Sequence, residues 1–199
     1  MGKLAMILDY GVGNIGSISS FLKENNYSVS FGNSHFEIQN TDLLVLPGVG
    51  SFGEAMRNID KSNIRKPVLE RHATRRPILG ICLGMQLLTN GSSESPGYEG
   101  FGILKGVTDR LQKKSRIGWD FLSPINTDTQ LEGPYYFNHS YGINDVHGNH
   151  FNVDTTDGSC RALIVDECTI GVQFHPEKSQ KSGSIFLRWA EKEVWAFHD

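Results

Sequence analysis

The chain has 199 residues, a length that suits one domain with a sizeable apolar core. Its 19 Lys and Arg residues nearly balance its 22 Asp and Glu residues, and no polybasic run occurs. This balance argues against nucleic acid or an acidic membrane surface as the main partner.

The N-terminus has neither the length nor the cleavage site of a signal peptide, and no apolar stretch approaches the roughly 20 residues that span a bilayer. The cysteines are Cys82, Cys160 and Cys168, an odd and low number that predicts a reducing compartment without disulfides. We therefore expect a soluble cytoplasmic protein.

The first half of the sequence alternates strand patterns with helix patterns. Apolar runs predict strands at 4–10, 27–31, 42–48 and 76–82. Apolar residues at helical spacing follow the first and third of these runs: Ile15, Ile18 and Leu22, and then Phe52, Ala55, Met56 and Ile59. Strands that alternate with helices predict a parallel sheet covered on both faces.

The pattern changes after about residue 100. Runs at 101–111, 134–142, 150–155, 160–167 and 168–174 predict strands separated by turns, and a last helix is expected at 181–194 with Ile185, Phe186 and Trp189 facing inward. The expected fold is therefore α/β: one domain over residues 1–199, with a central, mostly parallel sheet flanked by helices and additional antiparallel strands in the C-terminal half.

The segment "GVGNIG", residues 11–16, has the form of a dinucleotide-binding fingerprint. That fingerprint needs an acidic residue at the end of the second strand, near Phe31, but Glu37 comes several residues too late. The favoured interpretation is a glycine-rich turn that lets a helix begin close to the sheet, and a nucleotide-binding regulatory module remains the alternative.

Cys82 lies in the frame "GICLG", between a predicted strand and a predicted helix. A strand-to-helix turn of this kind holds its central residue out at the carboxyl end of the sheet, as in the nucleophile elbow. The N-terminus of the following helix favours a thiolate. The frame predicts an exposed, activated nucleophile, against the alternative of a plain buried cysteine.

A thiol nucleophile needs a base and a group that orients the base. "GVQFHPEK" offers His175 at the end of a strand and Glu177 two residues later. In extended chain these positions face the same way, and Pro176 biases His175 toward extended geometry. The pair predicts an imidazole oriented by a carboxylate, against the alternative of a solvated loop.

The turn "PGVG", residues 47–50, follows another strand. Its glycines allow backbone N–H groups to point at an anion, as an oxyanion hole requires. An ordinary strand-to-helix loop would also favour glycine.

Together these motifs resemble those of the class I glutamine amidotransferases, which carry a cysteine elbow and a downstream His-Pro-Glu. Six segments resemble most the glutaminase subunits of imidazole glycerol phosphate synthases: "DYGVGN", "LPGVGSFGEAM", "GICLGMQLL", "GWD", "HSYG" and "GVQFHPEKSQ". The resemblance runs from about residue 5 to residue 185.

The resemblance implies roles for individual residues. Cys82 would be the nucleophile, His175 the general base and Glu177 its orienting group. The oxyanion group would comprise Gly48, Val49, Gly50 and Leu83. The residues that hold glutamine would be Gln86, Glu94, His139, Ser140 and Tyr141.

The same resemblance implies glutamine hydrolysis without a metal or cofactor and transfer of ammonia to a (βα)₈-barrel synthase, the cyclase subunit of a heterodimer. The partner-facing residues would be Asn14, Trp119, Asp120, Tyr136 and Lys178. The chain departs from the family pattern His-Met-Gly-Trp-Asn at 116–120 and lacks the usual aromatic at Gly142. The alternatives are a paralogous ammonia supplier for a surface-sugar pathway and an inactive scaffold subunit.

Overall fold

The computed structural model describes residues 2–11, 13–112, 115–123, 131–146 and 151–196, and these residues form thirteen strands and six α-helices. The strands are β1 Lys3–Leu8, β2 Tyr27–Gly32, β3 Leu43–Leu46, β4 Ile78–Ile81, β5 Gly91–Ser92, β6 Gly106–Arg110, β7 Arg116–Asp120, β8 Leu122–Ser123, β9 Tyr135–His139, β10 Tyr141–Val146, β11 Phe151–Thr155, β12 Arg161–Asp166 and β13 Thr169–Val172. The helices are α1 Ile15–Glu24, α2 His35–Asn40, α3 Phe52–Lys61, α4 Arg65–Ala73, α5 Leu83–Leu87 and α6 Gln180–Trp189. A 3₁₀ turn at Pro176–Lys178 precedes α6, and a π-helical turn at Ala190–Val194 follows it.

The main sheet has the strand order β2-β1-β3-β4-β13-β12-β11-β8. The first five strands in this order are mutually parallel, and the remaining three pair antiparallel. Two small sheets accompany it, with the orders β10-β6-β5 and β7-β9. The expected α/β class, with a parallel centre and antiparallel strands from the C-terminal half, is confirmed.

Alternate side chains of the central strands enter two different apolar clusters, one on each face of the main sheet. In β1, Ala5 and Ile7 belong to one cluster, whereas Met6 and Leu8 belong to the other. A strand covered on both faces needs apolar residues at every position, which explains the continuous apolar runs of the sequence. No helix in the described part of the chain is long and apolar enough to cross a membrane.

Several predicted elements differ in detail. The strand expected at 101–111 is confined to β6, and the strand expected at 134–142 is two strands, β9 and β10. The strand expected at 150–155 corresponds to β11, and His150 lies outside the described residues. In α6, Phe186 is buried and Trp189 packs against it, but Ile185 is only partly buried and does not join the core.

No helix was predicted at α2 or α4, although the capping box Ser34-x-x-Glu37 marks the start of α2. The buried residues of α4 include Arg71 beside Pro67 and Val68. Arg71 donates hydrogen bonds to backbone carbonyls of four residues: Ile38, Thr41, Asp42 and Pro77. Burial of a guanidinium is stabilising only when its donors are paired, as they are here.

Candidate active site

Three neighbouring parallel strands end at one edge of the main sheet. β4 lies between β3 and β13, and all three run in the same direction. Their carboxyl ends therefore bring together the loop 47–50, Cys82 and the segment 173–175. Open α/β sheets bind ligands at such edges, so the topology itself assembles the predicted groups.

Cys82 occupies the sharp turn that the sequence frame predicts. Its φ of 51° and ψ of −105° lie outside the usual regions for an L-residue. The backbones around this turn pack closely. A Cβ at Gly84 would lie 2.0 Å from the carbonyl oxygen of Leu46, and a Cβ at Gly48 would lie 2.1 Å from the carbonyl oxygen of Ile81. Glycine at both positions allows the backbones to approach closely. Cys82 was predicted to be exposed, but it is largely buried and reaches only the wall of a cavity.

His175 and Glu177 form a buried pair, with 2.8 Å between Nδ1 of the imidazole and Oε1 of the carboxylate. His175 is extended, as expected, but Glu177 lies in the 3₁₀ turn, so the contact is made by a turn and not by the alternation of a strand. Burial acts to lower the His175 pKa, but interactions with Cys82 and Glu177 outweigh burial and raise the pKa to about 9.

The thiol opens onto a cavity of about 300 Å³. Every predicted oxyanion and substrate residue lines this cavity, together with Cys82 and Asn138: Gly48, Val49, Gly50, Leu83, Gln86, Glu94, His139, Ser140 and Tyr141. The structure thus brings the predicted set to one place, and its volume suits a small-molecule ligand.

The polar lining is held by hydrogen bonds. The carbonyl oxygen of Tyr141 accepts from His139 Nδ1 at 2.9 Å and from Gln86 Nε2 at 2.9 Å. Burial lowers the His139 pKa to about 4, so the ring is neutral near pH 7, with the proton on Nδ1 and an acceptor at Nε2. Glu94 accepts a hydrogen bond from the backbone N–H of Phe52 at 2.9 Å, which fixes its loop against α3.

The loop after β3 is clamped by Tyr10. The buried hydroxyl of Tyr10 donates to the carbonyl oxygen of Pro47, and Asn58 Nδ2 donates to the backbone oxygen of Tyr10. Burial, with a smaller effect of Cys82, raises the pKa of this hydroxyl, so it stays a donor. Gly50, with φ of 127°, then turns the chain over the cavity in a conformation that favours glycine.

Four of the predicted partner-facing residues lie on the rim beside the triad. Trp119 is about half exposed and packs edge-on against Tyr136, with 5.7 Å between ring centroids. Lys178 Nζ lies 5.6 Å from the Tyr136 ring centroid, and that ring lies 6.4 Å from the His175 ring. Asn14 lines a shallow groove together with Glu177.

Asp120 carries a negative charge where the family pattern has a neutral Asn, and this charge has partners within the chain. Its carboxylate pairs with Arg116 of the same strand and accepts a hydrogen bond from Thr156. The Arg116 guanidinium also lies over the Phe137 ring, 5.0 Å from its centroid. Two departures from the family pattern, Arg116 and Asp120, therefore pair with each other, and the same guanidinium also pairs with Asp157 at 2.7 Å.

The other departure, Gly142, does not lie at the rim. It is buried, and a Cβ there would lie 2.8 Å from Cys160 Cβ and 3.3 Å from Leu111. An aromatic side chain has no room at this position because neighbouring side chains fill it.

The glycine-rich turn before α1 packs closely on a neighbouring loop, in line with its interpretation as a turn that lets the helix begin close to the sheet. A Cβ at Gly13, where φ is 131°, would lie 2.8 Å from Pro47 Cβ. The turn thus allows close packing on the loop 47–50, and Val12 of the same motif lies outside the described residues.

Sequence reasoning missed two groups that contact the thiol. Gln173 Nε2 lies 3.6 Å from Cys82 Sγ, and the thiol lies 3.8 Å from the carbonyl oxygen of Asn138. Gln173 precedes His175 by two residues, so the same alternation that paired His175 with the site also predicts Gln173 there.

The chain is similar to known proteins over most of its length. The family model "Glutamine amidotransferase class-I" matches residues 6–188. The chain is 38% identical to imidazole glycerol phosphate synthase subunit HisH of Oceanobacillus iheyensis, over 94% of this chain and 98% of the relative. It is also 38% identical to the HisH subunit of Aquifex aeolicus, over 94% and 97% of the two chains. A solved glutamine amidotransferase of 14% identity shares the fold, with a TM-score of 0.76 over 96% of this chain and 98% of that one.

Proposed function

The chain belongs to the class I glutamine amidotransferase family and, within it, to the HisH subunits of imidazole glycerol phosphate synthase, and from that premise we propose how its residues act. It is the glutamine-hydrolysing subunit of that synthase, in histidine biosynthesis. The observation that carries the residue assignment is the meeting of Cys82, His175 and Glu177 at the ends of the adjacent strands β4 and β13, beside a cavity of about 300 Å³.

Cys82 attacks the carboxamide carbon of glutamine as a thiolate, and its proton passes to His175 Nε2. That nitrogen is buried and makes no hydrogen bond of normal geometry with a described residue, so it is open to accept the proton. Glu177 holds the opposite nitrogen and stabilises the imidazolium. The imidazolium then gives its proton to the leaving ammonia, and water hydrolyses the thioester to glutamate.

The tetrahedral intermediate needs backbone donors. Leu83 is the first residue of α5, and its N–H has no acceptor within the helix. It lines the cavity beside Val49 and Gly50 of the loop clamped by Tyr10. We assign the oxyanion to these N–H groups and the α-amino and α-carboxylate groups of glutamine to Gln86, Glu94, His139, Ser140 and Tyr141.

Ammonia must leave toward a synthase partner, because free ammonia near pH 7 is mostly protonated and ceases to be a nucleophile. We propose that the partner is a (βα)₈-barrel cyclase that docks on the rim formed by Asn14, Trp119, Tyr136 and Lys178. Outward-facing apolar residues of β7 support a docking surface there, since Ile117 is 68% and Trp119 is 49% exposed.

We further propose that residues 1–199 act as one glutaminase domain in the cytoplasm as half of a heterodimer. Asp120 lies beside the rim, and its carboxylate shares the Arg116 guanidinium with Asp157.

Glutamate release by the purified chain, with and without its barrel protein, tests this function. We expect weak release alone and strong stimulation by the partner, with imidazole glycerol phosphate formed from glutamine. The pair should also restore growth without histidine to a strain that lacks the glutaminase subunit. A pair that releases glutamate but cannot restore growth would move the chain to another acceptor pathway.

A further inference from the structure

Gln173 is a buried polar residue that the triad mechanism does not use. It follows β13 directly, is fully buried, and does not line the substrate cavity. Its neighbours Val172 and Phe174 pack in the apolar core, whereas the Gln173 amide reaches the Cys82 sulfur. A buried primary amide needs partners for both its donor and its acceptor atoms.

The partners of the amide are the thiol and a second amide. Gln173 Nε2 donates toward Cys82 Sγ at 3.6 Å, and Gln173 Oε1 accepts from Gln86 Nε2 at 3.2 Å. Gln86 Nε2 also donates to the carbonyl oxygen of Tyr141 at 2.9 Å. Both hydrogens of the Gln86 amide are therefore used.

This arrangement fixes which end of Gln173 faces the sulfur. If the Gln173 amide were rotated by half a turn, its nitrogen would meet the nitrogen of Gln86, two donors in contact. Its oxygen would then face Cys82 and repel a thiolate. The Gln86 amide thus orients Gln173 so that an N–H, and not an oxygen, points at the reacting atom.

We propose that Gln173 is a catalytic residue that donates a hydrogen bond to the Cys82 thiolate, and that Gln86 is the positioning residue that sets the direction of this bond. The inference rests on the proposed role of Cys82. When the sulfur gives its proton to His175 Nε2, negative charge forms at Sγ, and a hydrogen bond to a charged acceptor is stronger than one to a neutral thiol. Gln173 therefore favours the ionised nucleophile over the thiol.

The assignment also limits what Gln86 can offer a substrate. With both hydrogens of its amide nitrogen engaged, only the amide oxygen remains without a partner among the described residues. Gln86 can accept a hydrogen bond from the ammonium group of glutamine, but it cannot donate one to the carboxylate.

The test measures alkylation of Cys82 by iodoacetamide across pH in the full chain, followed by peptide mass mapping. Alkylation reports the nucleophile without requiring glutamine to bind. In Gln173→Met, which keeps the volume but removes the donor, the pH of half-maximal alkylation should rise by about one unit. Glutamate release near pH 7 should fall by about 10-fold, mainly in kcat.

Thr169→Val is the matched control. Thr169 is also fully buried on β13, but its hydroxyl contacts His72 at the far end of the strand. This variant should lose stability without any shift in the alkylation profile. If Gln173→Met does not fold, Gln86→Met serves instead, because it leaves Gln173 in place but unoriented and should shift the profile in the same direction by a smaller amount.

Two outcomes separate the inference from the function on which it rests. A reactive Cys82 with an unshifted profile in both Gln173→Met and Gln86→Met overturns the role of Gln173 and leaves the nucleophile intact. Alkylation of wild-type Cys82 no faster than that of Cys168 overturns the nucleophile itself.

Discussion

Replacement of Gly84 by Ala tests whether close backbone packing holds the nucleophile in place. The new Cβ would lie 2.0 Å from the carbonyl oxygen of Leu46. Carbon–oxygen contacts settle at about 3.3 Å, so α5 and β3 must separate by about 1.3 Å. Overpacking of this kind costs about 1–3 kcal/mol, against a gain of at most about 1 kcal/mol in helix propensity.

We expect Gly84→Ala to lower Tm by several degrees and to reduce glutamate release by about 100-fold, since a shift of about 1 Å at the nucleophile is enough for such a loss. Gly16→Ala is the matched control, because Gly16 is also helical but a Cβ there would meet no heavy atom within 4 Å beyond its own turn of helix. Gly16→Ala should be neutral or slightly stabilising. Equal stability and full activity in Gly84→Ala would refute the role of close packing.

Three further perturbations test other parts of the site. Since the His175 pKa is raised to about 9, the stability that His175 contributes is complete below about pH 6.5 and is lost as pH rises through 9. In urea unfolding between pH 6 and 9, Glu177→Gln should lose less stability than the wild type. An equal loss of stability in both proteins would contradict the pairing of His175 with Glu177. Tyr10→Phe should lower the free energy of unfolding by about 1–3 kcal/mol in thermal unfolding, because the buried carbonyl oxygen of Pro47 loses its donor. An unchanged free energy of unfolding would show that this hydrogen bond does not hold the loop. Lys178→Met should weaken association with the synthase partner severalfold by calorimetry, and unaltered affinity would remove Lys178 from the docking surface.

Local spacing was enough to predict the elbow at Cys82, because the close approach of a strand and a helix demands glycine at fixed distances from the turn. It also paired His175 with Glu177, although for an incomplete reason. The two side chains meet because a 3₁₀ turn follows His175, and the number of residues between them is the same in a strand or in such a turn.

Other features depend on contacts that no local pattern encodes. α4 was missed because its buried face carries Arg71, whose donors are paired with carbonyls from distant segments. The Arg116–Asp120 pair was missed because a regular strand places residues i and i+4 about 13 Å apart. Gly118, with φ of 135°, interrupts the regular geometry between them.

Covalent capture of glutamine by Cys82 is the central claim, and glutamate release by Cys82→Ala tests it most directly. The wild type, Cys82→Ala and the matched control Cys168→Ala should be assayed side by side with the synthase partner present. We predict that Cys82→Ala releases no glutamate above the uncatalysed rate, whereas Cys168→Ala keeps wild-type release. Glutamate release by a folded Cys82→Ala chain at a rate near that of the control would contradict the claim.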